Sequence, residues 1–186
     1  YTGSYGFDEE GTRKGDLRIG TFKGFDDNGA LSVDGTFSSE GKREGLWTYY
    51  ELGLLDVKEN YKAGKMDGDR TTYYANGARR KNIVVKDGKL DGIITRYYSC
   101  NQVYSEVPFN SEGLENGKGI YYFSTGEVSY KIDFVNGKKE GKYIDYYRNG
   151  QEREVSTYKD GKVVGEVKMY HKNGMAYIEG QYEEGE

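Results

Sequence analysis

Tyr73-Tyr74-Ala75-Asn76-Gly77, followed by Val84-Val85-Lys86-Asp87-Gly88-Lys89-Leu90-Asp91-Gly92, is the stretch that decides the fold. Asn-Gly between segments rich in aromatic and β-branched residues is the strongest short hairpin signal, because both central residues of a two-residue turn need positive φ. Outward from there the pattern returns. A Gly followed four residues later by another Gly occurs at GTRKG (11–15), GKREG (41–45), GKMDG (64–68), GKLDG (88–92), GLENG (113–117), GKKEG (137–141) and GKVVG (161–165). From the second onward the spacing is 23, 24, 25, 24 and 24 residues, and Gly185 stands another 24 on. A fixed period of this length marks a repeat array, in which each unit packs only against its neighbours.

The units run about 1–14 (partial), 15–44, 45–67, 68–91, 92–116, 117–140, 141–164 and 165–186, as a single array. Each is anchored on a turn Gly: Gly29, Gly53, Gly77, Gly126, Gly150 and Gly174, with Asn101 in that slot once. Four residues before it stand Phe25, Tyr49, Tyr73, Tyr97, Tyr122, Tyr146 and Tyr170. Eight after it come Phe37, Tyr61, Val85, Phe109, Phe134, Tyr158 and Tyr182. Each unit reads as one hairpin, and the GKxxG segment as a second turn leading to the next. Helices are excluded, since Gly recurs throughout and costs about 1 kcal/mol in a helix interior. The expected fold is all-β: an elongated, open antiparallel meander of tandem β-hairpins.

With Asn76-Gly77 as a two-residue loop, Tyr74 pairs with Arg79 and Gly68 with Val85. The same count sets Gly117 opposite Phe134, Gly141 opposite Tyr158 and Gly165 opposite Tyr182. A ring over a cross-strand Gly covers exposed backbone, so the Gly is expected to leave room for the ring. Strict alternation puts Val103, Val107, Phe109, Val128, Tyr130, Ile132 and Phe134 on one face, and Trp47, Ile120 and Ile144 beside the Tyr73 column on the other.

Composition agrees. The 186 residues hold 20 Tyr and 28 Gly at a net charge of −4. Tyr supplies the apolar area that a modest aliphatic content does not. The charges are mixed and without a basic run, which argues against nucleic acid or an anionic membrane as partner. One Cys excludes an internal disulfide framework. No apolar run is long enough to span a bilayer as a helix. The chain begins at Tyr1 without Met. The compartments left open are the cytoplasm and, if a signal peptide has been removed upstream, secretion or the cell envelope.

The pattern YY-x-NG, a β segment, an aromatic and GKxxG at this period resembles the MORN repeat, and more closely its bacterial variant form, as in DYYRNG…TYKDGKVVG (145–165). The resemblance implies an open hairpin sheet used for protein interaction or scaffolding. Some bacterial members resemble antitoxin components of toxin–antitoxin pairs. Other MORN proteins are linked to lipid head groups, but no Lys/Arg cluster follows the aromatics here.

No catalytic constellation is expected, and no cofactor. His171 occupies the slot of Tyr74 and Tyr147 and reads as structural. Cys100 lacks a neighbouring base, and a thiol without one is not a nucleophile. The GKxxG turns lack the spacing and helix of a phosphate loop. The aromatic column Tyr49, Tyr73, Tyr97, Tyr122, Tyr146 and Tyr170 has two readings: a stacking ladder that holds the hairpins together, and candidate binding residues whose exposed rings are offered to a protein partner, with a cell-surface glycan as the alternative ligand. Pro108 lacks a ladder donor, so a kink or bulge is expected around it.

Overall fold

A computed structural model describes residues 9–90 and 92–182; Phe7, Asp8, Asp91 and Gly185 of the repeat pattern lie outside them. The described residues contain no helix. They form β1 (Glu9–Lys14), β2 (Leu17–Phe25), β3 (Leu31–Phe37), β4 (Arg43–Glu51), β5 (Leu54–Lys62), β6 (Lys65–Tyr73), β7 (Arg79–Lys86), β8 (Lys89–Leu90), β9 (Gly92–Tyr97), β10 (Val103–Phe109), β11 (Gly117–Tyr122), β12 (Val128–Val135), β13 (Lys138–Tyr146), β14 (Glu152–Lys159), β15 (Lys162–Tyr170) and β16 (Ala176–Tyr182). The chain divides into two compact units, Tyr1–Lys89 and Leu90–Glu186. In the first, β1 to β7 pair in chain order as an open antiparallel meander; in the second, β9 to β16 do the same.

Two kinds of loop connect the strands. At the YYxNG segments the closure is a three-residue loop: Gly77 N–H donates to Tyr74 O and Tyr74 N–H to Ala78 O, both at 2.8 Å. Only Gly77 takes positive φ there, at 81°. The same bonds close 98–102, 123–127, 147–151 and 171–175, and Asn101, at φ 67°, replaces the Gly in the first of these. Asn76, Asn149 and Asn173 are therefore not the left-handed residues that the Asn-Gly reading requires. Each instead accepts, on Oδ1, the N–H two residues on, at 3.1, 3.2 and 3.1 Å. The true two-residue turns, with both residues at positive φ, are Leu52-Gly53, Ala63-Gly64, Asp87-Gly88, Asn136-Gly137 and Asp160-Gly161.

A three-residue loop offsets the pairing by one, and a β-bulge just beyond it restores the count. Tyr73 pairs with Arg79 and Thr72 with Lys81, leaving Arg80 as the extra residue. The expected Tyr74–Arg79 pair is thus wrong. The pairs below the bulge are as expected: Gly68↔Val85, Gly117↔Phe134, Gly141↔Tyr158 and Gly165↔Tyr182. Equivalent bulges leave Tyr104 and Ser129 unpaired and so move Val103 and Val128 to the other face, opposite Tyr97 and Tyr122.

The glycines under the rings have a different cause from the one expected. A Cβ on Gly165 would meet nothing, and one on Gly117 would meet Pro108, not Phe134. What these residues share is positive φ, 117° at Gly117 and 70° at Gly165, at points where the pairing to the preceding strand shifts register. Such bulges bend and twist the strand. The glycines that do make room for rings are Gly35, where a Cβ would lie 2.3 Å from Trp47 Cδ2, and Gly119, 3.0 Å from Phe134 Cε2.

Trp47 therefore belongs to the face of the Phe37–Tyr61 column, not to the Tyr73 face. In the first unit Phe37 packs against Phe22 and Trp47 at 5.5 and 4.9 Å between centroids, and Trp47 meets Tyr61 at 6.2 Å. In the second, Tyr104, Tyr121, Tyr130, Tyr143 and Tyr158 run as a ladder of contacts from 4.1 to 6.0 Å. Val107, Ile132 and Phe134 form the buried centre against it. No second layer covers either ladder among the described residues, yet Trp47 and Ile132 are each 1% exposed. The surrounding rings cover these two side chains while most stay half-buried themselves, and Tyr104 remains 37% exposed.

Pro108 pairs regularly with Ile93 across β9. Toward β11 the ladder lapses: after Ser105↔Tyr121 and Glu106↔Ile120 only the isolated bridge Phe109↔Glu115 follows. The pairs β5–β6, β12–β13 and β14–β15 shift register in the same stretch without a Pro, and Asn116 N–H still donates to Pro108 O at 2.9 Å. The irregularity therefore belongs to the repeat, and the kink expected at Pro108 is not specific to it.

Gly35→Ala is expected to cost about 3 kcal/mol in denaturant unfolding, since the added methyl overlaps an immobile indole. Gly180→Ala, with nothing within 4 Å and no positive φ, is expected to stay within about 0.5 kcal/mol.

Candidate functional site

The face opposite the ring ladders carries the tyrosine column. Tyr73 lies there in the first unit, and Tyr97, Tyr122, Tyr146 and Tyr170 in the second. Tyr49 does not. Because Leu52-Gly53 is a two-residue turn, Tyr50 pairs with Leu55 next to the loop as Tyr73 does with Arg79, so Tyr50 takes the column position. Tyr49 falls on the ladder face, where its hydroxyl accepts from Arg43 Nη1 at 2.9 Å, and burial raises its pKa. The guanidinium of Arg43 also stands 4.6 Å from the Trp47 ring centroid.

The column is not a row of exposed rings. Tyr97 is 8% exposed and the others are half-buried. Acidic neighbours fix two hydroxyls: Tyr122 donates to Glu106 Oε2 at 2.7 Å and Tyr50 to Asp34 Oδ2 at 3.4 Å. The second tyrosine of the pair has a separate task. Tyr98 donates to the carbonyl of Tyr122 at 2.8 Å, and Tyr147 to that of Tyr170 at 2.9 Å. Each thus staples its hairpin to the first column tyrosine of the next repeat.

The bulged residues turn their side chains onto neighbours. Arg153 ion-pairs with the buried Asp145, Arg80 Nε donates to Thr72 Oγ1 at 3.4 Å, and Tyr177 stacks on His171 at 4.4 Å. His171 is thus a loop residue in a ring contact, and Cys100 is exposed in its turn. Among the described residues no three His, Cys, Asp or Glu side chains gather as metal ligands.

At the loop edge of the first unit lies a groove of about 290 Å³, lined by Glu51, Leu52, Leu54, Leu55, Asp56, Tyr73, Tyr74, Ala75 and Arg80. Tyr73 is the one candidate column residue that contributes to it. The reading by repeat position missed this groove, because it treated Leu52-Gly53 as another instance of the common loop. The local signal was the apolar run in ELGLL (51–55), where a Leu stands in the turn itself and two more follow it.

Residues 139–160 match the family model described as MORN repeat variant. The match spans β13, its loop and β14, the unit with the full set of landmarks: bulge Gly141, column Tyr146, stapling Tyr147 and Asn149-Gly150. It supports the MORN-repeat family for a chain whose other units carry part of this set. No curated protein matches the chain at a significant level.

Tyr147→Phe and Tyr98→Phe each remove one phenol–carbonyl bond and are expected to lower stability by about 1 kcal/mol in chemical unfolding. Alkali should unfold the protein through its tyrosines. Burial and then the Asp145 and Glu154 carboxylates push Tyr143 up to about 12, and burial with the Glu106 bond pushes Tyr122 to about 12. The neutral phenols are thus favoured in the folded state. Their stabilisation is complete below the ordinary tyrosine pKa of about 10 and is lost as pH rises toward 12. Circular dichroism against pH, with phenolate absorbance, should show unfolding and late tyrosine ionisation together in that window.

Proposed function

We propose that this chain is a non-catalytic protein-interaction module that presents its tyrosine column to a protein partner. The observation that supports this most is the division of labour between faces. One face packs its aromatics ring against ring in ladders, whereas the column tyrosines of the other, half-buried apart from the buried Tyr97, stand on paired strands, with the hydroxyls of Tyr50 and Tyr122 fixed by Asp34 and Glu106. Tyr pre-ordered in this way loses little entropy on docking and is enriched at protein interfaces. The all-β repeat fold and the MORN repeat variant match fit a scaffold. An antitoxin or immunity role would be one instance, with a toxin as the partner. A glycan ligand is the competing reading. Sugar stacking needs open ring faces, and Tyr97 does not offer one.

Affinity capture from the source organism with cross-linking tests the reading. Tyr73→Ser combined with Tyr146→Ser should weaken capture of a specific protein at least ~10-fold, about 1.4 kcal/mol. Tyr130→Phe, on the ring ladder, should leave capture intact. Retention on glycan material in place of protein would favour the alternative. Capture indifferent to the column variants would contradict the assignment of the face.

A further inference from the structure

The groove at the loop edge of the first unit has a chemistry that narrows its occupant. Its wall is aliphatic and aromatic: Leu52, Leu54, Leu55, Tyr73 and Tyr74. Leu52 is 90% exposed and Leu54 49%. Leu52 also sits at φ 50°, the left-handed region, where the other two-residue turns use Ala63, Asp87, Asn136 and Asp160. A bulky aliphatic residue in that conformation, buried against nothing, contributes little to folding and is disfavoured by backbone and solvent alike. Its use is best sought in a partner.

The polar side of the groove is acidic. Asp56 is the bulged residue between the pairs Tyr50↔Leu55 and Tyr49↔Val57. Bulges re-aim side chains. The bulged Arg153 is turned onto Asp145 and the bulged Tyr104 onto Tyr121, partners within the chain. Asp56 instead lines the groove beside Glu51, and neither carboxylate is drawn into an ion pair among the described residues. Arg80 also lines the groove, but it is held toward Thr72. The volume falls just below the ~300–1,000 Å³ of small-molecule sites, room for one or two side chains and not for a cofactor.

We infer that this groove docks an extended segment of a partner protein in which an aliphatic side chain lies next to a lysine or arginine. The aliphatic group covers Leu52, Leu54 and the Tyr73 ring, and the cation lies between Glu51 and Asp56. The inference rests on the protein-interaction reading above and gives that partner a local chemistry.

The test uses the full chain and a short fluorescent peptide alternating leucine and lysine, followed by fluorescence anisotropy. Control peptides replace every lysine by glutamate or every leucine by serine. Saturable binding is expected for the first peptide, at least ~10-fold weaker for both controls and falling with added salt. Leu52→Asn should weaken it ~10-fold while leaving the melting temperature unchanged or raised, because Asn suits a left-handed turn position. Asp56→Asn should weaken it less and flatten the salt dependence. No saturable binding, equal binding of the glutamate peptide, or unchanged binding by Leu52→Asn would overturn the inference. A partner captured through the column that still binds Leu52→Asn would leave the interaction module standing and overturn only the groove as its site.

Discussion

The structure depends on a backbone constraint: each reversal of the chain needs residues that tolerate positive φ, and the loops differ in how many they use. Two-residue turns such as Asp87-Gly88 place both residues in the left-handed region. Three-residue loops such as Tyr74–Ala78 need only the final Gly. The second type shifts the ladder by one, which alone would carry every later side chain to the wrong face. The one-residue bulge beside the loops at 74–78, 98–102, 123–127, 147–151 and 171–175 cancels the shift. Because of that cancellation, Val107, Ile132 and Phe134 meet Tyr121, Tyr130 and Tyr143 on one face while Tyr122 and Tyr146 stay on the other.

Once register is fixed, the aromatics take over the task of a core. A single antiparallel layer has no second sheet or helix to exclude water, so each ring must cover the next. Edge and stacked contacts between Phe37, Trp47 and Tyr61, and between Tyr121, Tyr130 and Tyr143, do so. The stapling hydroxyls of Tyr98 and Tyr147 add a directional bond between successive hairpins. Tyrosine is favoured over phenylalanine at those positions because its polar tip satisfies a loop-edge carbonyl that a hydrocarbon ring would leave to water.

Much of this was legible in the sequence. The period, the all-β meander and the four Gly–partner pairs ending at Gly165↔Tyr182 follow from the spacing of glycines and aromatics. The loop type did not, because a three-residue loop plus a bulge returns the same count as a two-residue loop except beside the turn. That degeneracy explains the misplaced Tyr74–Arg79 pair and the wrong faces for Val103 and Val128. A separate local difference, the shorter turn at Leu52-Gly53, explains why Tyr50 replaces Tyr49. The positive φ of Gly117 and Gly165 was hidden for another reason: a Gly under a ring and a Gly in a bulge look alike in sequence. The groove beside Leu52 arises from a local departure from the repeat, so repeat averaging conceals it.

Loop geometry decides which face each aromatic occupies, so register beside a loop is the most direct check. Cross-strand nuclear Overhauser effects across β6 and β7 in the full chain distinguish the two arrangements. The account predicts contacts placing Tyr73 opposite Arg79 and Thr72 opposite Lys81, with an unpaired Arg80 between them and negative φ at Asn76. Contacts placing Tyr74 opposite Arg79 and Tyr73 opposite Arg80, with positive φ at Asn76, would contradict it.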